Sequence, residues 1–404
     1  MNILSLAPFN VWDLGYGKGR VSTYLPLKGL ADAGHRVWWL TSLDEVSEGD
    51  DLSLERDGIE VVRFRVPSST ATTGARAAIL SKLHSWAFLL SSFAKAYALT
   101  RHFRPDLICA HQLIAAFPAF LLSRVLRVPY TVKTYGFFGE IFAQRLYWGK
   151  YAFKLPASLY ILVNDGTSGD EIARSFGVPA HRIAFLVNGI DKDLTTKVDR
   201  SLRQRLAPNG ERIILSVYRL VPSKQIHLLI DAIPQIVSQR SDVRFVIVGD
   251  GPERPMLMSL ADRLGVSEYV QFEGSVPNEM VPSYLAAGDL LVSLNSASSI
   301  ANPVLEAMCC GTVVIALNTG TTSDLIVDGE NGILLETDEI AELPRVVLEA
   351  LDDDRRRGSL GEAARQFILE NWPSWEERVA QEVQLLEDVV KRHRQGTSSK
   401  EASV

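Results

Sequence analysis

The stretch "DLLVSLNSASSIANPVLEAMCCGTVVIAL", residues 289–317, holds one full repeat unit of an α/β sheet. "DLLVSLN" (289–295) is an apolar run of strand length, and "TVVIAL" (312–317) is a second, rich in β-branched residues. Between them Asn302 reads as an N-cap and Pro303 suits the first helical position. "PVLEAMCC" supplies about two helical turns, and Gly311 is placed to end them. Strand, loop, short helix and strand predict a parallel pair. The helix N-terminus then lies beside the carboxyl end of the first strand, where α/β sheets bind ligands. Glu306 is the only charged residue between Asp289 and Asp324. It falls one turn into the helix, near N–H groups that favour anions. A lone carboxylate is expensive to bury unless something polar meets it. Glu306 is therefore either a partner of the helix dipole or a group kept for a ligand.

The same alternation extends in both directions. Upstream the strand-like runs are "NILSLA", "RVWWLT", "VVRFRV", "DLICAH", "YTVKTYG", "LYILVN" and "RIAFLVN". The second half adds "RIILSVY", "RFVIVGD", "YVQFEG", "DLLVSLN", "TVVIAL" and "GILLE". Helical patterns such as 21–33 and 225–239 separate most of them, which predicts two successive βαβ arrays with parallel sheets. The 404 residues exceed one ordinary domain and suit two of roughly 150–200 residues. The expected division is a first domain over 1–190, a polar linker over 191–211 and a second domain over 212–373. An amphipathic helix over 374–394 is expected to pack back on the first domain, with 395–404 a disordered tail. A ligand is expected in the cleft between the lobes.

Composition narrows the function classes. Apolar residues make up 47% of the chain, enough for two full cores. "MNILSLAPF" reads as a first strand rather than a signal peptide, and no apolar run has transmembrane length. Three cysteines, two of them adjacent (Cys309, Cys310), suit neither a disulfide framework nor a metal site. A reducing cytoplasm is the expected location. Residues 1–190 carry 20 Lys/Arg against 15 Asp/Glu, and the remainder 22 against 33. Within 61–190 the balance is 15 basic to 5 acidic, so the first half offers a positive surface to something anionic.

Several pieces carry chemistry. "ILSVYRLVPSKQ" (214–225) ends a strand and places Arg219 and Lys224 on the turn before a helix. A forked guanidinium and a point-charge ammonium at that spacing can grip one diphosphate, or be two solvated charges. "FVIVGDGPE" (245–253) contributes Gly251 and "FEGSVP" (272–277) contributes Gly274, turns at which backbone approaches a ligand closely. "GYGKGR" (15–20) lacks the third Gly of a dinucleotide fingerprint, because Arg20 stands there. A glycine loop with Gly17 and Gly19 near a reacting centre fits better. "DKD" (191–193) has the look of a metal-binding carboxylate pair but reads as solvated. His111, after "DLICA", lines an acceptor site or belongs to the core, and Asn164 and Asp165 after "LYILV" share that ambiguity.

Taken in order, these pieces resemble the retaining glycosyltransferases of family 4, with the GT-B architecture. Its two Rossmann-like domains have parallel sheets facing across a cleft. The resemblance rests on "GYGKGRVSTYLPLKGLADAGHRVWWLTS", "RPDLICAH", "FLVNGID", "SVYRLVPSKQ", "VIVGDGPE", "VQFEGSVPNEMVPSYLAAGDLLVS" and "NPVLEAMCCGTVVIA". It implies that Arg219 and Lys224 bind the diphosphate of a nucleotide sugar and that Glu306 accepts hydrogen bonds from ribose hydroxyls. Three positions depart from the family pattern. Ser298 stands where a second Glu usually faces the donor sugar, Tyr135 about where a His ends a strand, and Tyr218 where a Gly precedes the diphosphate Arg. The loop "SSIAN" would still offer Ser298, Ser299 and Asn302 to a sugar, and Tyr135 would act in place of the His.

The resemblance implies sugar transfer with retention through a same-face route, the departing phosphate helping to deprotonate the acceptor. With Arg219, Lys224 and the helix N-terminus near Asn302 opposing the developing charge, no metal and no cofactor beyond the donor are expected. Two other readings stay open, a non-catalytic nucleotide-sugar-binding protein and a GT-B epimerase or phosphorylase. The expected partners are a nucleotide sugar and a glycan, lipid-linked or small-molecule acceptor, with no nucleic acid. "FFGEIFAQRLYWGKYAFK" (137–154) interleaves aromatic residues with Arg145, Lys150 and Lys154. That mixture suits an anionic lipid surface or a large acidic acceptor, with peripheral contact at the inner face of the membrane. The apolar segment 79–99 reads first as a core helix.

Overall fold

The computed structural model describes residues 1–8, 21–43, 53–65, 75–136 and 147–401. The chain divides into two units. Unit 1 comprises Met1–Asn164, Gly169–Asn188 and Trp375–Val404, and unit 2 comprises Asp165–Ser168 and Gly189–Ser374.

In unit 1 the strands are β1 (Asn2–Ala7), β2 (Arg36–Leu43), β3 (Glu60–Arg65), β4 (Leu107–His111), β5 (Tyr130–Thr134), β6 (Leu159–Asn164) and β7 (Ile183–Val187). They form a parallel sheet in the order β3-β2-β1-β4-β5-β6-β7. Alternate strand residues enter opposite faces. Leu4, Leu6 and Trp38 pack into one apolar layer, while Ile3, Val37 and Trp39 pack into the other. The helices used below are α1 (Val21–Asp32), α2 (Ala75–Leu99) and α3 (Ala116–Leu126). Segment 79–99 is only in part the core helix its sequence predicts. Phe88, Leu89 and Ala96 of α2 are buried, whereas Leu83, Trp86, Leu90 and Tyr97 face solvent.

Unit 2 repeats the plan with β8 (Arg212–Val217), β9 (Val243–Val248), β10 (Val270–Gly274), β11 (Leu290–Ser293), β12 (Val313–Leu317) and β13 (Ile333–Leu335). Its parallel order is β10-β9-β8-β11-β12-β13. The order reverses between β8 and β11, so loops from these neighbours leave in opposite directions and open a crevice at their carboxyl ends. The helices used from this unit are α4 (Ile226–Val237), α5 (Asn302–Cys310) and α6 (Asp354–Asn371), and α7 (Trp375–Glu401) returns to unit 1.

Two boundary expectations are corrected. Residues 191–211 are no linker. Leu194, Leu202 and Leu206 are buried in a core layer of unit 2 together with Val304 and Met308, which anchors an otherwise polar segment. Nor are residues 395–401 a disordered tail, because α7 continues to Glu401; 402–404 lie outside the described residues. A single Gly in a helix interior costs about 1 kcal/mol, so Gly396 need not stop a helix of this length.

Candidate functional site

The crevice of unit 2 begins where β8 stops. Tyr218 follows the strand and stays in register, its N–H donating to Val248 O at 3.0 Å. The chain then turns, leaving Arg219 exposed and Lys224 half-buried on a short turn before α4. Among the described residues, neither side chain has a hydrogen-bonding or ion-pair partner. Burial pushes the Lys224 pKa down, Asp165 opposes that from beyond ion-pair distance, and Arg219 adds to the lowering. Lys224 Nζ lies 5.1 Å over the Tyr218 ring. Two neighbouring cations that no carboxylate pairs with directly can receive an anion.

The turn is braced from β9. Leu220 N–H donates to Asp250 O at 2.9 Å, and Glu253 N–H donates to Leu220 O at 3.1 Å. A side chain at Gly251 would sit 2.3 Å from Leu220 O, and one at Gly249 only 2.0 Å from Tyr218 O. Both glycines let two loops close on each other, so Gly251 shapes the crevice through Leu220. Gly274, at φ 72°, accepts from Gly249 N–H at 2.8 Å and steadies the same turn.

Across the crevice, β11 leads through loop 294–301 into α5. This helix begins one residue earlier than its sequence suggests. Ala301 is the N-cap, Asn302 and Pro303 lie in the first turn, and no side chain caps the helix. Glu306 is half-buried, and no hydrogen-bonding or ion-pair partner meets it among the described residues. Burial, with Asp191 adding to it, raises its pKa to about 8. Glu306 does not cap the helix, whose N-cap is Ala301 with no side-chain hydrogen bond. The loop is organised by its own hydroxyls. Ser298 Oγ accepts from Ile300 N–H at 3.0 Å, and Ser299 Oγ donates to Ser293 O at 3.2 Å. Ser298 and Ser299 are buried, so their hydroxyls hold the loop in shape. Thr322, which no sequence pattern singles out, accepts from Ser299 N–H at 2.9 Å. Only the fold brings it from 23 residues away.

Unit 1 holds a second polar cluster, at the ends of β4 and β5. His111 is buried, and its Nδ1 lies 2.6 Å from the Tyr135 hydroxyl. Burial and the nearby Lys133 push the His111 pKa well down, so the ring is neutral at pH 7. Lys133, which sequence reasoning missed, is 3% exposed; its Nζ donates to Glu382 at 2.7 and 2.9 Å and to Ser22 O at 2.9 Å. Arg378 adds a 2.8 Å ion pair to Glu382. Glu382 and Arg378 lie on α7, so this network fastens the last helix to unit 1. Tyr135 remains half-exposed beside it, and Asn164 ends β6 half-buried. Gly17, Gly19 and Arg145 lie outside the described residues. Asp191 of the "DKD" stretch is exposed and pairs with Lys197 at 2.8 Å. Among the described residues no group of His, Cys, Asp and Glu is placed to hold a metal ion.

The family model "Glycosyl transferases group 1" matches residues 198–367, and "Glycosyl transferase 4-like domain" matches residues 20–189. An alpha-D-kanosaminyltransferase from Streptomyces kanamyceticus is 29% identical over 264 residues, 62% of this chain and 68% of that protein. A GDP-mannose-dependent alpha-(1-6)-phosphatidylinositol monomannoside mannosyltransferase from Mycolicibacterium smegmatis is 30% identical over 224 residues. That alignment covers 53% of this chain and 58% of the mannosyltransferase, so the chain spans between half and two thirds of that relative. Among solved structures, Anabaena HepE in complex with UDP-glucose superposes with a TM-score of 0.71 at 22% identity, covering 99% of this chain and all of that one. Sucrose-phosphate synthase from Thermosynechococcus elongatus gives 0.76 at 19% identity, covering 97% and 99%. These two likenesses establish a shared fold. With one glycosyltransferase model over each half of the chain and a parallel Rossmann-like sheet in each unit, the chain belongs to the family 4 glycosyltransferases of the GT-B fold.

Proposed function

We propose that the chain transfers a sugar from a nucleotide-diphosphate donor to an acceptor with retention of configuration. The observation that carries this reading is the set of unpartnered charges at one crevice, Arg219 and Lys224 on one side and Glu306 on the other. The two cations oppose charge on the departing diphosphate, and the Glu306 carboxylate accepts from the ribose hydroxyls. Fixed positive charge at that point stands in for a metal, so turnover is expected to survive a chelator. HepE binds UDP-glucose and the mycobacterial relative uses GDP-mannose; both donor classes are therefore the first to try. Thermal-shift screening of UDP and GDP sugars, followed by acceptor-dependent release of the nucleoside diphosphate, tests the reading. Affinity without release under any acceptor would favour a non-catalytic binding protein. Ser298 favours that second reading, because its hydroxyl is bound inside its own loop where the family usually has a Glu.

For the acceptor side we propose a lipid-linked or anionic glycan, met by unit 1, with peripheral contact at an anionic membrane. Helix α2 supports this. Leu83, Trp86, Leu90 and Tyr97 are 59, 53, 68 and 41% exposed at helical spacing, and the helix carries no acidic residue. Lys95 and Arg101 lie on or just beyond it, exposed. An apolar stripe flanked only by cations suits an anionic bilayer interface. No helix among the described residues is long and apolar enough to cross a membrane. Sedimentation with anionic vesicles is expected to be salt-sensitive and weakened by Trp86→Ser and Leu90→Ser. Equal sedimentation of the variant and the unaltered chain would remove α2 from the contact.

A further inference from the structure

Tyr218 stands where the family resemblance expects glycine, and the structure gives that substitution a use. The residue sits at the carboxyl end of β8, 7% exposed, and touches both sides of the crevice. Its hydroxyl donates to Ser293 Oγ at 2.7 Å, across the switch point at the end of β11. Ser293 Oγ in turn donates to Ser299 Oγ at 3.0 Å and accepts from Asn295 Nδ2 at 3.3 Å. The same chain of bonds therefore reaches the loop that leads into the Glu306 helix. On its other side the ring face lies 5.1 Å from Lys224 Nζ.

Lys224 is poorly placed without that ring. It is half-buried and close to the cationic Arg219, and the one carboxylate that acts on it, Asp165, lies beyond ion-pair distance. A flexible four-carbon ammonium in that setting tends to swing toward water or lose its proton. The negative face of an aromatic ring holds an ammonium without neutralising it, leaving its charge available to an anion. Glycine at 218 would supply neither the face nor the hydroxyl.

Building on the nucleotide-sugar reading above, we propose that Tyr218 is a positioning residue. Its ring presents the Lys224 ammonium to the donor diphosphate, and its hydroxyl ties that turn to the loop 294–301. The tie spans β8 and β11, so the two sides of the crevice keep their spacing when the site is empty. The residue touches no reacting atom and acts through Lys224.

Calorimetric titration of UDP and GDP into the full chain tests this. Tyr218→Met fills the core with a flexible, non-aromatic side chain and should weaken the diphosphate that binds by about tenfold, within the range of a partly desolvated cation–π contact. Tyr218→Phe should recover most of that loss. The loss should vanish in a Lys224→Ala background, and the alkaline limb of the binding profile should move to lower pH in Tyr218→Met but not in Tyr218→Phe. A merely structural role would instead give additive losses and no shift of the limb. Fluorinated phenylalanine at 218 weakens the ring face without changing its shape, and covers the case in which Tyr218→Met does not fold. Affinity should then fall stepwise with fluorination. Additive losses, or affinity indifferent to fluorination, would overturn the assignment. Failure of the unaltered chain to bind either nucleotide would overturn the donor reading itself, and the two failures are thereby told apart.

Discussion

Each unit places a lysine over a tyrosine ring at the end of a strand, with opposite outcomes. In unit 1, Lys133 Nζ lies 5.3 Å over Tyr135, and in unit 2, Lys224 Nζ lies 5.1 Å over Tyr218. Lys133 is closed off by both oxygens of Glu382 and by a backbone carbonyl, with Arg378 completing the network. Lys224 has Arg219 beside it and only the more distant Asp165 to oppose its charge, and the carboxylate of Glu306 has no hydrogen-bonding or ion-pair partner among the described residues. Burying a charge is costly in both places. In unit 1 the fold itself supplies the partner, and the charges hold α7. In unit 2 the fold supplies no direct ion-pair partner among the described residues, which leaves room for a ligand. Unpaired charge at a sheet switch point, rather than charge as such, marks the site.

The largest effect should come from breaking the closed network. Glu382→Ala leaves Lys133 and Arg378 buried without a counter-charge, at a cost of about 3–5 kcal/mol. Thermal denaturation should show a clear loss of stability while the folded fraction keeps its nucleotide affinity. An unaltered melting temperature would mean that α7 is held by packing alone.

Opening the other side reverses that pattern. A hydrogen bond to a charged group contributes about 1.5–3 kcal/mol, so Glu306→Ala should weaken nucleoside diphosphate binding roughly ten- to a hundredfold. Its melting temperature without ligand should hold or rise, because an unpartnered, half-buried carboxylate is removed. A destabilised variant of undiminished affinity would return Glu306 to a role in the helix.

The pH dependence gives a smaller but sign-specific effect. The Glu306 pKa, about 8, lies above that of the unfolded chain. Between the ordinary carboxylate range and about 8 the native state therefore binds more protons, so this contribution is complete in acid and is lost as pH rises through 8. Glu306→Gln should flatten that decline in melts of the ligand-free protein. Glu382 acts in the opposite sense. Burial pushes its pKa up, but Lys133 and Arg378 outweigh that and hold it below the ordinary value, so its contribution is lost as pH falls into the acid range. Glu306→Gln melts with an unchanged slope would break the contrast between the two carboxylates.

Local signals made much of the molecule legible. Each of the thirteen strands among the described residues corresponds to a run of β-branched or other apolar residues visible in the sequence. Glu306 was conspicuous as a lone charge among small residues, and Arg219 and Lys224 as cations past a strand end. What stayed hidden depends on contacts distant in sequence. Glu382 lies 249 residues from Lys133, and only α7 returning to unit 1 joins them. Residues 191–211 looked like a linker because most are polar, yet a few leucines suffice to hold the segment in a core layer. The two faces of α2 were blurred by an apolar content high all round, which hides which side meets the sheet. Ser298 and Ser299 read as sugar contacts because hydroxyls suit sugars, but a sharp loop uses its own hydroxyls first.

The central claim is that Arg219 and Lys224 are held unpaired to receive a diphosphate. Calorimetric titration of UDP and GDP into the unaltered chain, Arg219→Ala, Lys224→Ala and the double variant addresses it most directly. At least one nucleotide should bind the unaltered chain. Each single variant should lose about an order of magnitude, in keeping with loss of a charge-assisted contact, and the double variant more, with melting temperatures little changed. Undiminished affinity in the folded double variant would contradict the account.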